Sequence, residues 1–228
     1  MSSDRRGVVS AESVYFSYGR DPAVEDVSIG LARGQAVGII GRSGSGKTTL
    51  LHILAGLVRP QSGAVFLEGE RVDILSEKRR SLTRLRRFGF VFQFGELVPE
   101  LTLGENVELP LRLLGVDAVT ARSEREHVLE RLGISELSER KPGEVSGGEL
   151  QRAAVGRAII HKPAVVFADE PTGALDSANR DIVWGLLVEA SKEIGAAVLV
   201  ATHDQRIADQ LETCYQLESG RLTVLSPH

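Results

Sequence analysis

The segment that begins at Gly41 has the composition of a loop that binds phosphate groups. Residues 41–48 read GRSGSGKT and match the pattern G-x-x-x-x-G-K-[ST], with apolar runs on both sides. The loop consists of Gly41, Arg42, Ser43, Gly44, Ser45, Gly46, Lys47 and Thr48, and Thr49 follows it. Glycines let successive backbone N–H groups turn towards phosphate oxygens, and the positive end of the next helix faces the same anion. We expect Lys47 to contact the β- and γ-phosphates of a nucleotide and the Thr48 hydroxyl to ligate Mg²⁺.

Two adjacent carboxylates end a second apolar run, AVVFADE at residues 164–170. In a site for phosphoryl transfer, Asp169 at the end of a buried strand would complete the Mg²⁺ shell, commonly through water. Glu170 would then polarise the attacking water as general base. A strand that ends in Asp-Glu is by itself more often a solvated turn, so this prediction depends on the phosphate loop.

Apolar runs bounded by turn residues predict the strands that position these groups. They cover residues 8–15, 23–31, 36–40, 164–168 and 196–201, and helical patterns cover residues 150–160 and 177–194. Strands that alternate with helices indicate an α/β sheet with right-handed crossovers. Residues 214–225 are typical of a hairpin with Ser219-Gly220 as its turn.

Residues from about 97 to 145 differ from the rest, because Leu, Glu and Arg recur there at helical spacing. We interpret them as a helical subdomain inserted into an α/β core formed by residues 1–96 and 146–228. No low-complexity linker or internal repeat is visible, so residues 1–228 form one predicted domain.

Composition excludes several classes of function. The net charge of −4 argues against a nucleic-acid partner, and Cys214 is the single cysteine, which fits a reducing cytoplasm. No apolar run approaches the roughly 18 to 20 residues that cross a bilayer, and the start MSSDRRGVVS lacks the apolar core of a signal peptide. We therefore predict a cytoplasmic protein; if it serves a membrane process, another chain spans the membrane.

Four further motifs resemble those of ABC ATPases and follow the family's order along essentially the whole chain. Gln93 in FVFQF resembles the Q-loop, and VSGGELQ at residues 145–151 resembles the signature motif. The sequence 174–176, ALD, resembles the D-loop, and His203 in VATHD is similar to the switch histidine. The resemblance implies a P-loop NTPase core with a mostly parallel sheet, an N-terminal antiparallel β part and an inserted helical subdomain.

The same resemblance implies roles for individual residues. Gln93 would sense Mg²⁺ and the attacking water, and His203 would contact the γ-phosphate. Tyr18 in YFSYG stands where the family places an aromatic ring against adenine, with Tyr15 and Phe16 as its nearest rivals.

The signature motif implies a second copy of the chain. Ser146 is a good helix N-cap, and two glycines after it let a ligand approach closely, so this helix offers a second N-terminus to an anion. By resemblance, it closes over the ATP that is bound to the other protomer. The residues expected to contact that ATP are Ser146, Gly147, Gly148, Glu149 and Asp176.

Longer sequence segments, including LVPELTLGENVELPL and ADEPTGALDS, resemble those of the lipoprotein-release and macrolide-efflux subgroup of ABC ATPase subunits. This implies an ATPase homodimer, peripheral on the inner face of the membrane, beneath permease subunits for export, extraction or mechanotransmission. Val145 replaces the usual Leu, and Gly95-Glu96 departs from the subgroup in a segment expected to face the permease.

Other functions compete with a transport ATPase. One alternative is a soluble ABC ATPase of DNA repair, translation or cluster assembly, but the DNA-repair members carry long coiled coils and the translation members two ATPase halves. An ordinary P-loop kinase or GTP switch does not explain SGGE. A subunit that regulates a cell-wall enzyme across the membrane would have the same sequence features. Residues 78–87 are rich in Lys and Arg, and we interpret them as a solvated helix face, with contact to acidic lipid headgroups or to partner loops as the alternative.

Overall fold

The computed structural model describes residues 7–225, so the first six residues of the N-terminal segment considered above lie outside it, as do residues 226–228. The strands are β1 (Val9–Ser17), β2 (Pro22–Leu31), β3 (Ala36–Ile40), β4 (Ser62–Leu67), β5 (Glu70–Arg71), β6 (Phe88–Phe92), β7 (Val165–Asp169), β8 (Ala197–Thr202), β9 (Thr213–Glu218) and β10 (Arg221–Leu225). The helices are α1 (Lys47–Leu54), α2 (Glu77–Arg87), α3 (Leu103–Leu113), α4 (Ala118–Arg131), α5 (Gly147–Ile159), α6 (Ser177–Glu193) and α7 (Gln205–Ala208).

Two sheets organise these elements. The larger has the order β10-β9-β3-β8-β7-β6, and all neighbouring pairs in it are parallel except β9 with β10. The smaller sheet, β2-β1-β4-β5, is antiparallel. The predicted α/β class, with a mostly parallel sheet and an N-terminal antiparallel part, is confirmed.

Residue alternation along the central strands divides the core into two layers. Val165 and Phe167 of β7 pack with α1 and the antiparallel sheet, whereas Val166 and Ala168 face α3, α5 and α6. Strand β8 alternates in the same way. Because both faces of these strands are covered, their sequences are continuous apolar runs.

The helical insertion contains α3, α4 and two short 3₁₀ turns, Ser135–Leu137 and Pro142–Glu144. Glu108 on α3 is 1% exposed, and it accepts hydrogen bonds from Arg112 Nε at 2.8 Å and from Arg125 Nη1 of α4 at 3.2 Å. A buried carboxylate needs such partners, so this triad fixes α3 against α4.

The five predicted strands and the hairpin are present, and the strand ends agree within two residues. Ser219 and Gly220 both have positive φ, as a two-residue hairpin turn requires. Strands β4, β5 and β6 were not predicted: β5 has only two residues, and β4 and β6 contain glycines or adjoin the Gln93 motif. In the basic run most residues are exposed or half-buried, as the interpretation of a solvated helix face expects, but Arg80 is buried and pairs with Glu77.

Within residues 7–225, no helix is both long enough and apolar enough to cross a bilayer.

Gly89 on β6 allows α5 to pack directly on the sheet. A Cβ at this position would overlap the carbonyl oxygen of Ala158. We expect Gly89→Ala to lower the free energy of unfolding by about 2 kcal/mol, since backbone cannot move aside cheaply. Gly185→Ala is the matched control: it lies on an exposed part of α6 with no atom within 4 Å, and should raise stability by up to ~1 kcal/mol. Denaturant titration measures both, and equal effects would contradict this account of the packing.

Candidate functional site

Parallel pairing brings the carboxyl ends of four strands to one edge of the large sheet. The register places Ile40 of β3 beside Thr202 of β8, and Asp169 of β7 between Ala201 and Phe92. The residues that directly follow these strands are therefore neighbours, and in open α/β sheets this edge is where ligands bind. The phosphate loop, Gln93, Asp169-Glu170 and His203 all lie at this edge.

A cleft of about 980 Å³ opens there. Most of the residues predicted to bind nucleotide line it: Tyr18, Arg42, Ser43, Gly44, Ser45, Gly46, Lys47, Thr48, Thr49, Gln93, Asp169, Glu170 and His203. Gly41 instead lines an adjoining cavity on the side of β9, where a Cβ would overlap Ser45 and the carbonyl of Leu217. The structure thus brings together residues that lie up to 185 positions apart, from Tyr18 to His203.

The phosphate loop has the backbone that its glycines allow. Gly46 has φ 103°, in the region where only glycine is unstrained, and a Cβ there would overlap the carbonyl of Ala23. Lys47 is 7% exposed, and its Nζ donates to the carbonyls of Gly41 at 2.8 Å and Arg42 at 3.2 Å. The ammonium is therefore held over the loop, at the position from which it can reach a bound phosphate.

Asp169 is a half-buried carboxyl with an unsatisfied oxygen. Burial raises its pKa, the neighbouring Glu170 adds to the rise, and the Thr48 hydroxyl and Lys47 oppose it. Its Oδ1 atom has no hydrogen-bond partner in the described part of the chain. An oxygen donor that is both buried and orphaned fits a hard cation. Residues 7–225 hold no cluster of three or more His, Cys, Asp or Glu side chains suited to a metal, so other oxygens must complete any such site.

Glu170 is fixed by its neighbours on β8. Its carboxylate accepts from Thr202 Oγ1 at 3.1 Å and lies 2.8 Å from His203 Nδ1, while Lys47 Nζ is 3.9 Å away. Its backbone has φ 46°, a left-handed conformation that is costly for a residue with a side chain and often occurs at functional sites. The carboxylate therefore points into the cleft beside the lysine that is expected to hold phosphate.

Aromatic residues border the cleft. Tyr18 is 72% exposed, and its ring packs edge-on against Phe16 with a centroid distance of 4.8 Å. Phe16 packs against the core, so of these two rings Tyr18 is the one free to stack on a ligand. Phe94, next to Gln93, is 68% exposed, and the Gln93 amide lies against Gly173, where a Cβ would be 3.1 Å from Nε2.

The signature motif forms a separate surface. Ser146 caps α5 in a capping box: its N–H donates to Glu149 Oε2 at 2.8 Å and its hydroxyl donates to the same oxygen at 2.7 Å. These bonds from Ser146 lower the pKa of Glu149. A Cβ on Gly148 would touch Asn179 Oδ1, and Asp176 caps α6 through Ala178 N and Asn179 N, both at 3.0 Å.

These signature and D-loop residues therefore pack together, but the structure does not bring them to the cleft. None of Ser146, Gly147, Gly148, Glu149 and Asp176 lines it. Within one chain, the two sets of residues expected to contact ATP thus lie on different surfaces.

Sequence reasoning missed several residues of the cleft. Thr202 bonds Glu170, and Ala23, Phe92, Phe94 and Glu96 line the walls. For Thr202 and Phe92 a signal existed, because each ends an apolar run directly before a predicted functional residue. Ala23 reaches the cleft only through the fold of the antiparallel sheet, which the sequence does not encode locally.

Comparisons with known proteins agree with this geometry. The family model described as "ABC transporter" matches residues 24–173. The chain is 41% identical over 224 residues to the lipoprotein-releasing system ATP-binding protein LolD of Xanthomonas axonopodis pv. citri, covering 96% of this chain and 92% of the relative. LolD of Legionella pneumophila (strain Paris) is 40% identical over 219 residues, covering 94% and 96%.

Solved structures share the fold along nearly all of the chain. The dimeric post-hydrolysis structure of the ATP-binding cassette MJ0796, bound to ADP and Pi, matches with a TM-score of 0.85 and 32% identity over 96% of this chain and 100% of that one. CbiO1 from Clostridium perfringens, part of the ABC transporter complex CbiONQ, matches with a TM-score of 0.86 and 26% identity, covering 96% and 87%.

We predict that Glu170→Gln binds ATP as tightly as the unchanged protein but hydrolyses it about 10²–10⁴-fold more slowly. The amide keeps the shape of the side chain but cannot accept a proton from water. Lys47, Thr48 and Asp169 are untouched, so nucleotide affinity should remain. Steady-state release of phosphate and equilibrium binding of ATP measure the two effects. A variant that hydrolyses ATP at a near-normal rate would refute the role given to Glu170.

Proposed function

This chain belongs to the ABC transporter family, and from that premise we propose that it is the ATPase subunit of a lipoprotein-releasing transporter. It binds ATP in the cleft at the edge of the large sheet and drives a separate permease in the membrane. Two relatives that are 40–41% identical over nearly their whole length are named for lipoprotein release, which supports this choice of process. The enzyme would then be peripheral on the inner face of the membrane, held there by its permease.

Mg²⁺ would be the metal of the reaction. The orphaned Oδ1 of Asp169 and the Thr48 hydroxyl bonded to that carboxyl supply hard oxygen donors, and the Gln93 amide lies at the same edge. Bound Mg²⁺ would neutralise charge on the phosphate oxygens. The protein's own residues then have distinct roles: Lys47 orients the phosphates, Glu170 takes a proton from water and His203 holds the γ-phosphate.

The separation of the cleft from the signature surface is the observation that carries the second part of the proposal, an ATP site shared between two copies of the chain. A helix N-terminus with a serine cap and two glycines suits an anion, yet none of these residues lines the cleft of its own chain. A second copy in two-fold symmetry would supply the missing half to each cleft. ATP would then join two protomers, and loss of its γ-phosphate on hydrolysis would release them.

The permease would dock on a second groove, beside the cleft. This groove of about 380 Å³ lies between α2, β6 and the helical insertion, and its lining includes Leu57, Leu85, Leu109, Pro110 and Leu113. Leu57 is 42% exposed and Leu113 is 63% exposed. Glu96 lines both the groove and the cleft, so a partner in the groove would contact the segment that follows Gln93.

We predict that Lys47→Ala and Ser146→Arg are each inactive as homodimers but recover activity when mixed. Each homodimer lacks one half of both sites, whereas a mixed dimer has one site with both lesions and one with neither. Random pairing makes about half of the dimers mixed, so roughly a quarter of the normal ATPase rate should return. ATPase assays on co-refolded mixtures measure this, with each variant alone as control.

Strong cooperativity between the two sites would lower that recovery, so Ser146→Arg alone gives the clearer result. The bulky cation should prevent the helix N-terminus from approaching the opposing γ-phosphate. Full-rate hydrolysis by a monomer of this variant would refute the shared site.

We predict that Leu113→Ser weakens binding to the permease by about tenfold while the isolated subunit keeps its ATPase rate, because an apolar contact is lost outside the cleft. Val224→Ser is the matched control, since Val224 is 67% exposed on β10 at the opposite edge of the sheet.

Proteoliposomes that contain the co-purified membrane protein and a lipid-anchored protein test the proposed process of lipoprotein release. ATP-dependent release of the lipid-anchored protein should fall for Leu113→Ser only; no release with the unchanged subunit would contradict the proposed process.

A further inference from the structure

Arg180, on the first turn of α6, belongs to none of the recognised motifs but contacts two of them. Its Nη1 lies 3.1 Å from Asp204 Oδ2, directly after the switch histidine, and its Nη2 donates to the carbonyl of Leu175 in the D-loop at 3.4 Å. The side chains of Arg180 and Asp204 are 23% and 19% exposed, so this ion pair is shielded from solvent. One guanidinium therefore connects the D-loop with the turn that carries His203.

Asp204 connects the guanidinium of Arg180 to the turn that contains His203. Its Oδ1 accepts from Arg206 N at 3.0 Å and caps α7, while its backbone N–H donates to Thr202 Oγ1 at 3.0 Å. Both carboxylate oxygens are thus occupied, one by α7 and the other by Arg180. Since His203 lies between Thr202 and Asp204, both ends of its turn are fixed.

The catalytic groups are one further hydrogen bond away from Asp204, through Thr202. Thr202 Oγ1 donates to Glu170 Oε2, and His203 Nδ1 lies 2.8 Å from Glu170 Oε1. A shift of Asp204 would therefore change the direction of the imidazole and its contact with Glu170. Arg180 does not line the cleft, but it lines an adjoining cavity of about 290 Å³ with Glu170, His203 and Asp204. Its ion pair with the turn of His203 is made to Asp204.

The other end of the connection is on the surface expected to meet a second copy. Leu175 lies against Gly147, where a Cβ would be 3.6 Å from Leu175 Cδ2, and Asp176 directly follows it. A rigid fork with two separate donor groups suits a contact between two segments, and a lysine cannot reproduce it.

We propose that Arg180 is a positioning residue that couples the direction of His203 to the D-loop, so that hydrolysis responds to a second copy bound at that loop. This inference rests on the proposed function for the part played by the second copy. The local connection, from Leu175 through Arg180 and Asp204 to His203, is independent of it.

The test compares Arg180→Met with Arg131→Met. Arg131 pairs with Glu193 at the other end of α6, 2.6 Å from its carboxylate, and its side chain is 25% exposed, so its loss controls for removal of an ion pair from the same helix. Arg180→Met should lower kcat about tenfold and leave the affinity of the isolated subunit for ATP within about twofold. Arg131→Met should change neither. Arg180→Lys, which can pair with Asp204 but not also reach Leu175, should fall between.

A spectroscopic measurement separates positioning from a loss of stability. The ring signal of His203 in the proton–carbon NMR spectrum of the nucleotide-free subunit, assigned by its absence in His203→Gln, should shift in Arg180→Met and stay in place in Arg131→Met. An unchanged His203 signal, or a normal kcat, would overturn the proposal. If Arg180→Met does not fold, Asp204→Asn replaces it, because asparagine still caps α7 but lacks the charge that pairs with Arg180.

The two proposals fail in distinguishable ways. If Glu170→Gln never forms an ATP-dependent dimer, the shared site is refuted whatever His203 does. If that dimer forms but the His203 ring signal does not shift in Arg180→Met, the shared site stands and the coupling is refuted.

Discussion

Parallel hydrogen bonding among β3, β8, β7 and β6 is the constraint on which the site depends. It brings four strand ends to one edge, and each strand places its functional group at its last residue or directly after it. The strands keep this register because both of their faces are buried, one against α1 and the antiparallel sheet and the other against the helices. A slip of one residue in the strand pairing would turn Phe167 to the other face of the sheet. The same interactions therefore determine both the packing of the core and the positions of Asp169, Thr202 and Gln93 relative to one another.

Charge at this edge is unbalanced in a way that a ligand would correct. Asp169 and Glu170 are adjacent carboxylates in a half-buried cleft, and Lys47 is the cation nearest to Glu170. The raised pKa of Asp169 means that the folded chain holds this proton more tightly than the unfolded chain does. The ionised form at neutral pH is therefore destabilising, and a cation at its free oxygen would offset that cost. A site that binds a metal together with phosphate would offset the excess of carboxylates.

The sequence was informative wherever chemistry follows directly from a local pattern. Three features were predicted: the loop at Gly41–Thr48, the carboxylates at the end of β7 and the histidine after β8. In each case an apolar run leads directly into residues that are typical of a phosphate site. Arg180 could not be predicted, since an arginine on a helix surface has many candidate partners and only the fold places Asp204 beside it. The basic run shows the same limit: Arg84 donates to the carbonyl of Gly56, 28 positions away, whereas helical spacing alone favours a solvated face. Long-range pairing, unlike local periodicity, depends on the whole topology.

The division of the site between two surfaces follows from this topology as well. Helix α5 packs on β6 through Gly89 and Ala158, and its N-terminus packs beside the D-loop and α6, with Gly147 near Leu175 and Gly148 near Asn179. Ser146 and the two glycines after it do not line the cleft that contains the phosphate loop of their own chain. A triphosphate in the cleft would therefore present its outermost charge to whatever approaches from outside, and the approaching surface best suited to it is another copy of the Ser146 helix end. On this argument, the contact that makes α5 stable as part of the core is also what makes a single chain an incomplete enzyme.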